Sequence, residues 1–313
     1  MPTLDLVRAA AARIAPYVHR TPCLSATSLG DLAGVSLTVK AELFQKTGSF
    51  KVRGCFNAVL SMPPERRSAG LVTMSAGNHA AGLAYAARAL GTTAVVVMPA
   101  HANPGKIAAV EAYGGEVVLT DGALVDTLHR VQEETGRTLV HPFDDPAIIA
   151  GNGTVGLEIA EDVGAFDTLV VQIGGGGLAS GCAAVLKALR PGVTVVGVEP
   201  EGADAMTRAL AAGEPVPMVP SSVADGLCAP FAGTHTLAAV RSFVDRVVTV
   251  PDEAIVEAMR RTIERTKLAV EPAAAAGVAA LLTGAAGVER GSSVVVVATG
   301  GNMDGATYAR LLA

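Results

Sequence analysis

Short uncharged runs rich in β-branched residues alternate with longer alanine-rich stretches of helical periodicity, and this alternation constrains the fold more than any other feature of the chain. Leu71–Met74 precedes the helical pattern Ala80–Leu90, Ala94–Met98 precedes Pro104–Tyr113, and Val117–Thr120 precedes Ala123–Glu134. Further runs occur at Thr168–Ile173, Thr194–Val198, Val247–Val250 and Val294–Ala298. They are continuously apolar, so their strands are covered on both faces, as in parallel sheets flanked by helices. The expected class is α/β. Gly91, Gly114, Gly115 and Gly136 close helices where a left-handed cap is expected. Gly213–Ala232, rich in Pro, Gly and Ser, reads as a long surface loop.

With 313 residues, half of them apolar, the chain can bury a large core and form two domains. A net charge of -5 and the absence of Trp provide neither a basic face nor a stacking platform, which speaks against nucleic acid as a partner. Cys23, Cys55, Cys182 and Cys228 lack metal-site spacing and read as free thiols of a reducing, cytoplasmic compartment. Asp5, Arg8 and Arg13 break up the apolar start, so no signal peptide is expected. Thr168–Leu186 and Pro272–Val288 are uncharged. Gln172 and four glycines in the first, and the Ala/Gly composition of the second, make them core elements rather than membrane spans.

Three constellations carry chemistry. Gly174-Gly175-Gly176-Gly177 comes directly after an apolar run and opens a helical pattern near Leu178. Consecutive N–H groups without Cβ atoms and a helix start suit a phosphate. The loop fits G-x-G-x-x-G poorly, yet alone it leaves nicotinamide and pyridoxal cofactors unseparated. Ser75-Ala76-Gly77-Asn78-His79 forms a polar turn at the carboxyl end of a strand, where ligands of open sheets bind, and a capping turn is the plainer reading. Lys51 lies in Gly48-Ser49-Phe50-Lys51-Val52-Arg53-Gly54, an amine in a glycine-bounded turn that reads either as a reactive group beside the phosphate loop or, more plainly, as a solvated side chain.

The segment Glu42–Gly54, with S-A-G-N-H, G-G-G-G-L and Thr299-Gly300-Gly301-Asn302, resembles the threonine dehydratase and serine racemase group of the tryptophan-synthase-β-like enzymes. These use pyridoxal 5'-phosphate and have the fold type II architecture of two open parallel-sheet domains flanked by helices. The resemblance covers nearly the whole chain. It implies that Lys51 carries the cofactor, Phe50 packs on its ring, Asn78 binds its phenolic oxygen, Gly174–Gly177 hold its phosphate and Thr299 faces its pyridine nitrogen. Ser75, Ala76, Gly77 and His79 would line the substrate carboxylate. Residues 1–69 and 145–313 would form a large cofactor-binding domain and 70–144 a small one.

The implied reaction is β-elimination of a β-hydroxy amino acid, L-threonine or L-serine, to a 2-oxo acid and ammonia. Lys51 serves as general base. Racemases of the group carry serine where Ala76 stands, and a methyl group cannot move a proton. Leu124 occupies a position that tends to be basic in relatives acting on 3-hydroxyaspartate. Racemisation, 3-hydroxyaspartate dehydration and, outside the family, a nicotinamide-binding oxidoreductase remain the alternatives. The resemblance also implies a divalent cation held by Glu199 and the Ala203 carbonyl, although Ala205 replaces the second acidic ligand and Asp204 is one residue out of register. Glu271 matches a position near the cofactor, and a homodimer is expected. His101, His129, His141 and His235 show no metal spacing.

Overall fold

The computed structural model describes residues 1–313. Ten strands run in chain order as β1 Cys23–Ser25, β2 Ser36–Ala41, β3 Leu71–Met74, β4 Ala94–Pro99, β5 Glu116–Thr120, β6 Thr138–Leu139, β7 Thr168–Gln172, β8 Thr194–Pro200, β9 Arg246–Val250 and β10 Ser293–Ala298. They form two sheets, one of six strands in the order β1-β2-β10-β7-β8-β9 and one of four in the order β5-β4-β3-β6. All pairings are parallel except β1 with β2. The fold is the expected α/β arrangement of parallel sheets flanked by helices.

Parallel strands need cover on both faces. In the six-stranded sheet Val170, Val196, Val294 and Val296 face a core built on the alanine-rich helix Pro272–Leu282, whose small side chains let it lie close to the strands. Leu169, Val171, Val195, Val295 and Val297 face the other way, against the helices Pro146–Asp162 and Gly177–Leu189. The alternation along each strand follows the two-residue period of the pleat.

Between the sheets stands the helix Lys51–Ser61, whose Val52, Cys55, Phe56 and Val59 pack with Leu71, Leu83, Ala94, Val140 and Ile148. Close approach here depends on glycine. A Cβ on Gly151 would meet the Gly54 Cα at 2.8 Å, and one on Gly181 would meet the Gly153 Cα at 2.6 Å, so three helices touch backbone to backbone.

Gly91, Gly114 and Gly136 take the left-handed conformation expected of helix stops. The segment after Gly213 lacks long regular elements, but Ala224, Leu227 and Ala232 in it are buried, so it lines the core as well as the surface. No helix is long and apolar enough to cross a membrane. All four cysteines are free.

Candidate active site

Lys51 is placed by a lacing of two motifs distant in sequence. Gly48 turns the chain with φ of 71°, and Ser49 pairs with Gly300 in an isolated antiparallel bridge. The Phe50 N–H donates to the Thr299 carbonyl at 3.1 Å, and the Gly301 N–H donates to the Gly48 carbonyl at 3.0 Å. Thr299, directly after β10, is therefore fixed beside Phe50 and Lys51. The Lys51 Nζ donates to the Pro142 carbonyl at 3.1 Å and stands 5.4 Å from the centre of the Phe50 ring. Burial disfavours its charge and lowers its pKa to about 8, against the opposing pull of Cys55 and Glu271.

The glycine loop leaves the end of β7 and opens the helix Gly177–Leu189. Gly176 has φ of 94°, a left-handed conformation that disfavours any side chain. Packing excludes one at Gly175 and leaves little room for one at Gly174 and Gly177. A Cβ would run into the Leu227 backbone from Gly174 at 3.1 Å, into the Phe143 ring from Gly175, and onto the Phe143 carbonyl from Gly177 at 3.0 Å. The N–H groups of residues 174–179 meet no acceptor in the protein. Six successive free donors at a helix start form an anion cradle.

Opposite, β3 ends in the turn Ser75–Gly77, which leads into the helix Asn78–Ala89. The Ser75 Oγ accepts the Gly77 N–H at 3.3 Å, and the N–H groups of Asn78, His79 and Ala80 are likewise uncommitted. The Asn78 Nδ2 donates to Glu271 at 2.7 Å, and its Oδ1 accepts from the Asn302 Nδ2 at 2.8 Å. Glu271 is buried, and burial raises its pKa to about 7, the nearby Asp225 charge adding to the effect.

The His79 side chain does not face this turn. It is buried, with Nδ1 3.5 Å from the Cys55 Sγ and Nε2 3.4 Å from the Val140 carbonyl, and burial depresses its pKa to about 3. Its ring is a core side chain, and only its N–H is left uncommitted at the turn. The helix starts at Asn78, so the second residue lands on the face that packs against the Lys51 helix.

Glu199 is also committed elsewhere. It ends β8 fully buried, and its two oxygens accept the N–H groups of Met206 at 2.7 Å and Thr207 at 2.9 Å, capping the helix Ala205–Ala212. Burial raises its pKa to about 7. Asp204 turns to Arg208 at 2.6 Å, and no group of three or more His, Cys, Asp or Glu side chains gathers anywhere. The carboxylate at Glu199 and the carbonyl of Ala203 thus lack the further oxygens a divalent cation requires, and as they stand they do not fit one.

One further segment, without a motif of its own, reaches both the lysine and the glycine loop. His141–Asp145 supplies the Pro142 carbonyl to Lys51 and the Phe143 ring to the glycine loop. The His141 Nδ1 accepts the N–H groups of Phe143 at 3.2 Å and Asp144 at 2.8 Å, so a neutral ring keeps its proton on Nε2. Asp144 accepts from Thr234, His235 and Thr236 at 2.9–3.1 Å, holding the start of the helix Thr234–Phe243. Asp145 caps the helix Pro146–Asp162. Aspartate directly before proline is a helix-start signal, and of these residues only Asp145 carries one in the sequence.

Beneath Lys51 lies a buried charge cluster. Arg53 reaches Glu42 through Nε and Nη2 at 2.8 Å each, and Glu158 through Nη1 at 2.7 Å, while the Lys40 Nζ donates to Glu158 at 2.6 Å. Two cations meet two carboxylates, so the cluster is neutral. Burial opposes the Glu42 charge, but the Arg53 guanidinium outweighs it and holds the carboxyl below its usual range.

The model of the family described as "Pyridoxal-phosphate dependent enzyme" matches residues 14–300. The chain belongs to this family. A lysine of lowered pKa, an anion cradle and the Asn78 amide are a donor set that fits pyridoxal phosphate. The chain is 43% identical to a serine racemase of Oryza sativa over 306 residues, 95% of this chain and 90% of that one. It is 42% identical to a phenylserine dehydratase of Ralstonia pickettii over 315 residues, 100% of this chain and 97% of that one. The structure of a threonine deaminase from T.th. superposes with a TM-score of 0.91 at 43% identity, covering 97% of this chain and 99% of that one. The cofactor is thus the family's.

Proposed function

We propose that the chain is an ammonia-lyase that eliminates water from a β-hydroxy amino acid, L-threonine or L-serine foremost, the resulting enamine then taking up one water to give a 2-oxo acid and ammonia. The observation that carries this reading is the pairing of Lys51, poised near neutrality, with a methyl group at Ala76 in the turn that leads into the helix Asn78–Ala89. One face of the substrate then has a base and the other has none at that position. Racemisation is the second reading, supported by the likeness to the Oryza serine racemase. The two diverge once the α-proton has been removed: the lyase loses the β-hydroxyl, whereas the racemase returns a proton to the other face.

Pyridoxal phosphate, when bound, supplies a ring that stores the electron pair released at the α-carbon. Lys51 would hold the cofactor, and its neutral amine would take the α-proton as general base. Phe50 would support the ring, Asn78 would donate to its phenolic oxygen, Gly174–Gly177 would bind its phosphate, and the Thr299 hydroxyl would meet the pyridine nitrogen. Being neutral, a threonine hydroxyl would not hold a proton on that nitrogen, and the weaker electron store would favour prompt elimination. Ser75, Ala76, Gly77 and the N–H of His79 receive the substrate carboxylate, since helix N-termini favour anions. Residues 70–144 act as a small domain against 1–69 and 145–313, with the substrate between them. No step is routed through a divalent cation at Glu199 and Ala203. Free thiols and an apolar composition support a cytoplasmic homodimer.

The test is 2-oxo acid release from L-serine, L-threonine, L-phenylserine and 3-hydroxyaspartate by cofactor-loaded protein. Release from one or more, reduced about 10²–10⁴-fold in Lys51→Ala, is the expected outcome. A protein that forms only the mirror-image amino acid refutes the lyase reading.

A further inference from the structure

The carboxamide of Asn78 is held from both sides. Thr47 offers only a carbonyl, so the Asn302 group 2.7 Å from it must be the NH2, and the same Nδ2 reaches the Asn78 Oδ1 at 2.8 Å. Asn78 must then turn its own NH2 to Glu271, at 2.7 Å. One hydrogen of that NH2 is used, and the other stays free.

The backbone makes room for both partners. A Cβ on Gly48 would collide with the Asn302 Oδ1, and a Cβ on Gly300 would lie 2.6 Å from the Glu271 Oε1. Glu271 is anchored in turn by its N–H, which donates to the Gly300 carbonyl at 3.1 Å. Two glycines of two separate motifs are thus small where these side chains stand against them, while Asn78 follows β3 of the other sheet.

We infer that Glu271 and Asn302 are positioning residues that lock the Asn78 carboxamide with one N–H turned toward the phenolic oxygen of the cofactor. The inference deepens the functional reading and rests on its assignment of Asn78 to that oxygen. Without the lock, the amide is free to rotate and present its oxygen to the phenolate, which repels it. An N–H donor favours the anionic phenolate form, so its loss shifts the light absorption of the bound cofactor.

Holoprotein carrying Asn302→Ala, Glu271→Ala, Glu271→Gln or Asn78→Ala is compared by absorption spectroscopy and by equilibrium dialysis of the cofactor. Asn302→Ala and Glu271→Ala are expected to move absorbance from the visible toward the near-ultraviolet band, as Asn78→Ala does. They raise the apparent cofactor Kd about tenfold, the effect of one hydrogen bond to a charged group. Glu271→Gln retains an acceptor oxygen and keeps the parent spectrum. Asn302→Ala added to Asn78→Ala changes nothing further, because both act through one amide. Parent-like spectra in Asn302→Ala and Glu271→Ala beside a shifted Asn78→Ala, or additive effects in the double variant, overturn the inference. An unshifted Asn78→Ala refutes the assignment of Asn78 itself, and the lock falls with it. Asn302 stands at the exposed rim, so its variant carries the test if Glu271→Ala does not fold.

Discussion

At Lys51 the surroundings, more than the residue type, set the chemistry. Burial penalises the ammonium form, so the proton leaves at lower pH, and the amine titrates near 8. At pH 7.5 about a quarter of the side chains are then neutral, against about a thousandth for a lysine in water. Acylation of Lys51 in cofactor-free protein, followed by peptide mapping from pH 6 to 11, is expected to rise with a midpoint near 8. A midpoint near 10 rules out the lowered pKa. Lys51, Asn78, Thr299 and the glycines were legible because each sits in a short motif. The direction of the His79 ring was not, because the first turn of its helix turns that ring into the core beside Cys55. Arg53 also escaped notice, since Glu42 and Glu158, which justify its burial, lie 11 and 105 positions away.

Among the elements, seven of the ten strands lie within two residues of the apolar runs that announced them. β2 was missed because Lys40 interrupts its apolar run, and its ion pair with Glu158 depends on tertiary structure. β1 and β6, of 3 and 2 residues, are too short for periodicity to register. The helix expected from Ala80 starts at Asn78, because the polar turn residues before it already have helical geometry. Element ends also carry the site. Asp144→Ala removes acceptors from three N–H groups of the helix Thr234–Phe243, beside the glycine loop, and is expected to destabilise the protein by about 1–2 kcal/mol in thermal unfolding. No change in Tm refutes the capping role.

For the whole molecule, the charge cluster joins β2, the Lys51 helix and the helix Pro146–Asp162 in the buried interior. Arg53→Met leaves Glu42 and Glu158 facing each other with only Lys40 as a counter-charge. It is expected to cost about 3–5 kcal/mol, read as a lowered urea midpoint at unchanged slope. A loss below about 1 kcal/mol contradicts a fully buried cluster. Strand order has a further consequence, for synthesis. β3, β4, β5 and β6 adjoin one another in the chain, so the four-stranded sheet has all its residues once Leu139 has been made. The six-stranded sheet does not, because β10 is wedged between β2 and β7, which have no pairing with each other. On the ribosome, a nascent chain short of residue 293 holds two half-sheets with a missing seam. Its valine-rich edges stay unpaired until β10 and the Thr299 that follows it arrive and close both the sheet and the lysine site in one step.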